Sequence, residues 1–299
     1  MTGDPAGELG LLLKEWDPPV FATMDGASFD DAPRAFAQAG IQLRSLFVEH
    51  RDPATVRAGP YLAVLDRPRV GSFLRVDGIA NAAVFWRTDA TEPILFRHLR
   101  SINLVDIPRD PAPPDQPPVP KTRTVLFRHY DPSVMAIVLR VLTPAQRARV
   151  FGPAEAIALY AASVGGAKSA KRQSDWPKPE SGRLRLTSTQ MEAIVAGMDL
   201  QSRHAIAAFL RDTANGATAP MDDAELISFV ETSSVKGRDL GIVTERGLGR
   251  WAYLTLITKG TIADSEPAKH FITASNSNPD EQVEMLMLGI AAELGRRGN

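Results

Sequence analysis

The chain has 299 residues, a formal net charge of −1 and no cysteine, and 44% of its residues are apolar. The length allows two domains, and the apolar fraction is that of a globular protein. The balanced charge gives no global field of the kind that draws a protein to nucleic acid or to an anionic membrane. The absence of cysteine excludes disulfide bonds, thiolate metal sites and a Cys nucleophile.

The N-terminal stretch MTGDPAGELGLLLKEWDPP carries early acidic residues, and its apolar segment is too short for a signal peptide. No stretch of the sequence approaches the roughly 20 apolar residues that a membrane-spanning helix needs. We therefore expect a cytoplasmic protein with no membrane partner.

Strand and helix patterns alternate along the first third of the chain. Because strands such as 61–65 are nearly all apolar, we expect an α/β fold with a mixed or mostly parallel sheet that helices cover on both faces. The predicted strands are 20–24, 41–48, 60–65, 81–86 and 104–107, and the predicted helices are 9–16, 28–38, 67–76 and 92–101.

A proline-rich segment, residues 108–120, cannot form a regular element. Two interpretations remain open for it: an inserted surface loop, or a PxxP-type ligand for a partner domain.

The stretch 123–153 is the most strongly patterned part of the chain. A strand-like run ends at Tyr130, and Asp131-Pro132 then supplies an N-cap and a proline for the first turn of a helix. Thr143 and Gln146 predict a second helix with a capping box, and Phe151-Gly152-Pro153 predicts its end and the start of a third helix.

Residues 164–182 have the composition of an interdomain linker, and helical periodicity follows from residue 187 onward. The predicted organisation is therefore an α/β domain over 1–163, a linker over 164–186, and an all-helical lobe over 187–299. Thr187 and Gln190 form a second capping-box pattern, which predicts a helix that begins there. Asp222 predicts the start of another helix, and two more are predicted over 244–259 and 280–294.

FRHYDPSVM followed by LTPAQRARVFGP resembles the "fR-x-yDP-x-vL … ff-GP" signature of the DUF4123 family. Four upstream stretches resemble that family's other landmarks in the same order: FATMDGA, RSLF, GPYLAVL and VFWRTDATEPILFRHLRSI. The resemblance covers roughly residues 21–162 and implies an adaptor chaperone that loads a toxic effector onto the spike of the bacterial type VI secretion system.

The resemblance implies a structural corner that joins strand ends to the first helix of the signature. Two positions depart from the pattern, since His129 replaces the more usual aromatic residue and Ser133 replaces a basic one. The corner residues are Asp25, Arg128, Tyr130, Asp131, Pro132, Gly152 and Pro153.

No two of the five histidines have metal-ligand spacing, and the sequence contains neither a GxSxG nucleophile motif nor a phosphate-binding loop. We therefore expect a protein that is not an enzyme and has no cofactor. Asp25 is predicted to be a turn residue that binds the following backbone. The alternative is an enzyme of unknown class whose strand-end site is formed by Asp25, Arg128 and Asp131.

Charge is segregated, because residues 121–153 are mostly basic while residues 1–31 are mostly acidic. These blocks either face each other or are solvated, or the basic block meets an acidic partner surface. The expected partners are an effector and the secretion spike. The candidate partner-binding residues are Arg140, Arg147 and Arg149 in the basic block and Leu254, Ile257, Met285, Leu286 and Leu288 in the helical lobe. The alternative for these five apolar residues is that they form the core of the lobe.

Overall fold

The structure is a computed structural model that describes residues 4–109, 120–179, 181–274 and 278–297. It divides into two compact units, Met1–Gly197 and Met198–Asn299. Most of the proline-rich segment, residues 110–119, lies outside the described residues.

A six-stranded sheet forms the centre of the first unit. Its spatial order is β2-β3-β1-β4-β7-β8, and every neighbouring pair is antiparallel. The strands are β1 (Val20–Asp25), β2 (Leu43–Ser45), β3 (Pro60–Leu65), β4 (Ala83–Arg87), β7 (Ala156–Ala161) and β8 (Gly166–Lys171).

A second sheet has three short strands in the order β6-β5-β9. The β5–β6 pair is antiparallel, and the β5–β9 pair is parallel. These strands are β5 (Leu104–Pro108), β6 (Thr122–Leu126) and β9 (Leu184–Arg185).

Helices cover both faces of the large sheet. Leu9 of α1, Phe36 of α2 and Phe73 of α4 pack on one face, while Leu95 of α5 and Met135 of α6 pack on the other. The helices of this part are α1 (Pro5–Leu13), α2 (Ala32–Gln38), α3 (Pro53–Ala58), α4 (Arg67–Leu74), α5 (Glu92–Ser101), α6 (Pro132–Val141) and α7 (Pro144–Phe151).

The prediction of a mixed or mostly parallel sheet is wrong. β1 is buried along its whole length, with Phe21 in one core and Ala22 and Met24 in the other. Coverage on both faces therefore explains the continuous apolar runs, and such runs carry no information about strand direction.

The predicted third helix after Pro153 is also wrong. Its sequence AIALYA forms β7, which pairs with β4 and β8 in the interior of the large sheet. Alanine and leucine favour helix in isolation, but pairing on both edges and burial on both faces override that preference here.

The predicted linker over 164–186 contains two strands. β8 pairs with β7 across six residue pairs, from Ala161↔Gly166 to Ala156↔Lys171, and β9 adds to the second sheet. The small and charged residues that resemble a linker match an edge strand instead, where lysines discourage further pairing.

The described part of the second unit is helical. Its core includes Leu210, Val230, Trp251 and Ile272. The helices are α8 (Ser188–Thr213), which begins in the first unit, and α9 (Asn215–Thr218), α10 (Asp223–Asp239), α11 (Glu245–Ile257), α12 (Glu266–Ile272) and α13 (Pro279–Arg297).

Candidate functional site

Asp25 ends β1, and its side chain is buried at the start of the following turn. Its Oδ1 accepts a hydrogen bond of 3.0 Å from the backbone N–H of Ala27. The predicted role of Asp25 as a turn residue is confirmed. The other carboxylate oxygen, Oδ2, is left to face the chain that leads into α6.

Arg128 joins Asp25 to Asp131. Its Nη2 donates to Asp25 Oδ2 at 2.5 Å and lies 3.1 Å from Asp131 Oδ2. Burial opposes the charge of the guanidinium, but Asp131 and Asp25 outweigh burial and raise the pKa of Arg128. Arg128 therefore tethers this corner through two carboxylates, those of Asp25 and Asp131.

Asp131 caps α6, as its sequence position predicts. Its Oδ1 accepts from the backbone N–H groups of Ser133 at 2.8 Å and Val134 at 3.2 Å, and Pro132 takes the first helical turn. The neighbouring Tyr130 is buried. That burial, with the negative charge of Asp25 as a second cause, raises the pKa of the Tyr130 hydroxyl to about 12.

All four carboxylate oxygens of this corner have partners within the protein. Each carboxylate binds the backbone with Oδ1 and Arg128 with Oδ2. Arg128 therefore links the end of β1 to the start of α6, although Asp25 and Arg128 are 103 positions apart in the sequence. None of the three side chains lines either of the two apolar cavities that are described below.

Gly152 and Pro153 form the turn from α7 into β7. Gly152 has φ +54° and ψ −116°, and a Cβ atom at this position would overlap the ring of His98. The Nε2 of His98 donates to the Val150 carbonyl at 2.8 Å, and Thr88 donates to the Pro153 carbonyl at 2.8 Å. The turn therefore requires glycine for its backbone and for the space that the imidazole fills.

Residues 20–149 match the family model described as "Domain of unknown function (DUF4123)". The matched segment begins with β1 and ends in α7, and it includes Asp25, Arg128 and Asp131. The match ends before Gly152 and Pro153, and it includes neither the last two strands of the large sheet nor the helical unit. No curated protein and no solved structure gives a significant match to the chain.

His129, where the DUF4123 signature more often has an aromatic residue, is fully buried. Its ring centroid lies 5.5 Å from that of Tyr130 and 6.1 Å from that of Trp86, and its Nε2 is 2.9 Å from Asn103 Oδ1. Burial, with the charge of His98 as a lesser cause, lowers the pKa of His129 to about 3. The imidazole therefore fills an aromatic position as a neutral ring.

The basic residues of the DUF4123 segment differ in how they are used. Arg147 donates to the carbonyls of Leu139 and Arg140 in the last turn of α6, and Arg149 donates to the carbonyls of Gly182 and Ser101. These two guanidinium groups thus stabilise the fold itself. Arg140 is exposed.

In the part of the chain that the structure describes, the ion pair Arg128–Asp25 joins the basic block to the acidic block. Other acidic side chains serve local roles, such as Asp31, which caps α2. Among the described residues, the two blocks therefore face each other at the corner, through Arg128 and Asp25.

The candidate apolar residues of the helical unit fall into two groups. Leu254 is fully buried in the core, and Ile257 and Leu286 pack partly against it, so Leu254 is not available to a partner. Met285 and Leu288 are 49% and 64% exposed on α13. A separate cavity of about 400 Å³ is bordered by Phe209, Gly249 and Met287.

Among the described residues, no group of three or more His, Asp or Glu side chains is placed to hold a metal ion. No helix in the described ranges combines the length and the apolar character that crossing a membrane requires.

Proposed function

We propose that this protein is an adaptor chaperone that binds a type VI secretion effector and loads it onto the spike protein. The observation that carries the proposal is the match of residues 20–149 to DUF4123, because the resemblance described above links that family to such adaptors. The role places the protein in the bacterial cytoplasm, where it meets the effector before secretion.

The proposed role requires binding rather than catalysis. An adaptor needs two surfaces that different proteins recognise, with binding at one favouring transfer at the other. The corner of Asp25, Arg128 and Asp131 supports this view, since each of its carboxylate oxygens already has a partner inside the protein. Assays of the purified protein against ester, phosphoester, peptide and nucleotide substrates should therefore show no turnover.

We assign the effector to the helical unit. Exposed Met285 and Leu288 on α13, with the cavity beside Phe209, offer apolar surface of the kind that receives an apolar segment of a partner. The α/β unit contains the DUF4123 segment, so we assign the spike to it as the task common to the family.

Gene neighbourhood gives a first test, because an adaptor gene should lie between a spike gene and a large toxin gene. The direct test is a pull-down of both neighbouring products with the full chain. Capture of neither product would contradict the proposal.

Point variants then separate the two surfaces. Met285→Asp with Leu288→Asp should abolish effector capture and leave spike capture intact. Val243→Asp is the matched control, since Val243 is a 78% exposed apolar residue of the same unit. Loss of the effector with the control variant alone, or retention with the α13 variant, would contradict the assignment of this surface.

A truncation can test the division of roles if it respects the structure. A cut after Gly182 removes β9, which pairs with β5, and the contacts of Gln190 with Val141 and Gln146. A cut after Gly197, the end of the first compact unit, retains them. The fragment 1–197 should keep the spike and lose the effector; the opposite result would reverse the assignment.

A further inference from the structure

An apolar groove lies between α1 and α4 of the first unit, on the face of the large sheet opposite α5 and α6. Leu13, Trp16 and Leu74 are buried at its base, at 3%, 5% and 9% exposure, and the cavity has a volume of about 410 Å³. Large side chains thus line a space that no described residue of the first unit fills.

Two glycines line this groove. A Cβ at Gly10 of α1 would lie 3.6 Å from Leu74 Cδ1, and a Cβ at Gly71 of α4 would lie 3.6 Å from Arg75 Nη1. Both distances are ordinary contacts, so alanine fits at either position, and neither glycine has a positive φ. Glycine inside a helix costs about 0.5–1 kcal/mol relative to alanine. Both helices therefore carry this cost where they line the groove, and the groove is wider by the two methyl groups that alanine would add.

The charged residues that line the groove are both cations, Lys14 and Arg67. Among the described residues, neither forms an ion pair, in contrast to Arg69, which is 3.4 Å from Asp66. An occupant that places carboxylates beside the apolar base would complement this rim.

Apolar surface continues outside the groove. Leu11, three residues before Lys14 and therefore adjacent to it on the helix surface, is 67% exposed. A small amphiphile seated in the groove would leave Leu11 uncovered, whereas a protein segment that lies across α1 would cover it.

From these observations we infer that the α1–α4 groove docks a segment of a partner protein in which large apolar side chains are flanked by Asp or Glu. One wall, α1, precedes the segment matched to DUF4123, and the other wall, α4, lies within it. The family model therefore covers the α4 wall of the groove but not the α1 wall. This inference is independent of the proposed secretion role.

The probe is a pool of random peptides displayed on phage, selected on the immobilised full chain. Selection should enrich sequences in which Asp or Glu adjoins Leu, Ile, Phe or Trp. Enrichment of peptides without acidic residues, or no enrichment, would overturn the inference.

The selected peptides are then synthesised and titrated into the protein labelled with fluorotryptophan. The chain has four tryptophans, and the Trp16 fluorine signal is assigned with the Trp16→Phe variant. Peptide binding should shift the Trp16 signal, since this indole lies at the base of the groove. Binding without that shift places the peptide elsewhere and refutes the assignment.

Two variants and one control locate the site. Lys14→Glu with Arg67→Glu should weaken peptide binding by about tenfold or more. Gly10→Leu should block peptide binding by filling the groove, and leucine is a good helix former, so α1 should still form. The control is Arg34→Glu with Arg51→Glu, exposed cations that do not line the groove. Equal losses in the charge variant and the control would indicate a general field effect and contradict a specific site.

Dodecanoate below its micellar concentration distinguishes a small amphiphile from a protein segment. If dodecanoate shifts the Trp16 signal and binds more tightly than every selected peptide, the groove is a site for an anionic amphiphile and the inference is wrong. Weaker binding by dodecanoate than by the peptides is the expected result.

Discussion

Replacing Gly152 with alanine should destabilise the protein by roughly 2.5–7.5 kcal/mol. The backbone at φ +54° and ψ −116° is a region that is nearly restricted to glycine, and holding another residue there costs about 1–3 kcal/mol. The new Cβ would also overlap the ring of His98. Moving that ring breaks its hydrogen bond to Val150, about 0.5–1.5 kcal/mol, and repacks a filled site, about 1–3 kcal/mol.

Two further variants separate the backbone cost from the steric cost. Gly165 also has a positive φ, +76°, but among the described residues no atom beyond its two chain neighbours lies within 4 Å of an added Cβ. Gly165→Ala should therefore show the backbone cost alone, about 1–2 kcal/mol. In the His98→Ala background, Gly152→Ala should cost less than in the wild type, because the obstructing ring is gone.

The assay is urea denaturation followed by tryptophan fluorescence, with the free energy of unfolding extrapolated to water. Should Gly152→Ala alone fail to fold, the comparison of His98→Ala with the double variant still measures the backbone cost. The reasoning is refuted if Gly152→Ala costs no more than Gly165→Ala, or if His98→Ala does not reduce its effect.

Asp131→Ala should lower the free energy of unfolding by about 0.5–2 kcal/mol through the lost cap, whereas Asp131→Asn keeps a capping oxygen and should cost less. Equal losses for the two variants in denaturant titrations would contradict the capping role. Asp66→Ala, which removes the cap of α4, is the control for the loss of a helix cap elsewhere in the fold. His129 has a pKa of about 3 in the fold against about 6.5 unfolded, so its contribution is fully present above pH 6.5. Below pH 6.5 the unfolded state binds a proton that the folded state does not, and stability should fall by about 1.4 kcal/mol per pH unit towards pH 3. His129→Phe, which restores the more usual aromatic residue, should make that loss shallower; an unchanged pH dependence from pH 7 to 4 would show that His129 is not its cause.

The sequence by itself determined the local elements. The cap at Asp131 and the capping boxes at Thr143 with Gln146 and at Thr187 with Gln190 form as predicted. In each case the donor and the acceptor are two or three residues apart, so the short-range pattern contains the whole interaction. The amphipathic pattern of 92–101 likewise gave the bounds of α5.

Part of the corner could also be predicted. The sequence indicated a structural corner that contains Asp25, Arg128 and Asp131, and within it the ion pair of Arg128 with Asp131 joins residues only three positions apart. Asp25, which lies 103 positions from Arg128, was placed with it only by the family resemblance and by the alternative enzyme interpretation, and neither showed which atoms pair. That pairing depends on how β1 and the start of α6 are placed in the fold.

Only the tertiary structure decided which segments pair in the large sheet. AIALYA became β7 and GAKSAK became β8 because each found an edge to pair with, against the helical preference of the first and the linker-like composition of the second. The antiparallel direction of the strands could not be predicted from the sequence either, because burial on both faces gives the same apolar run in either direction. The contact of Gly152 with His98 likewise could not be predicted from the sequence, because it joins residues that are distant along the chain. Contacts between residues distant in sequence depend on the whole arrangement of the chain, and a single sequence records local preference far more directly than it records its distant partners.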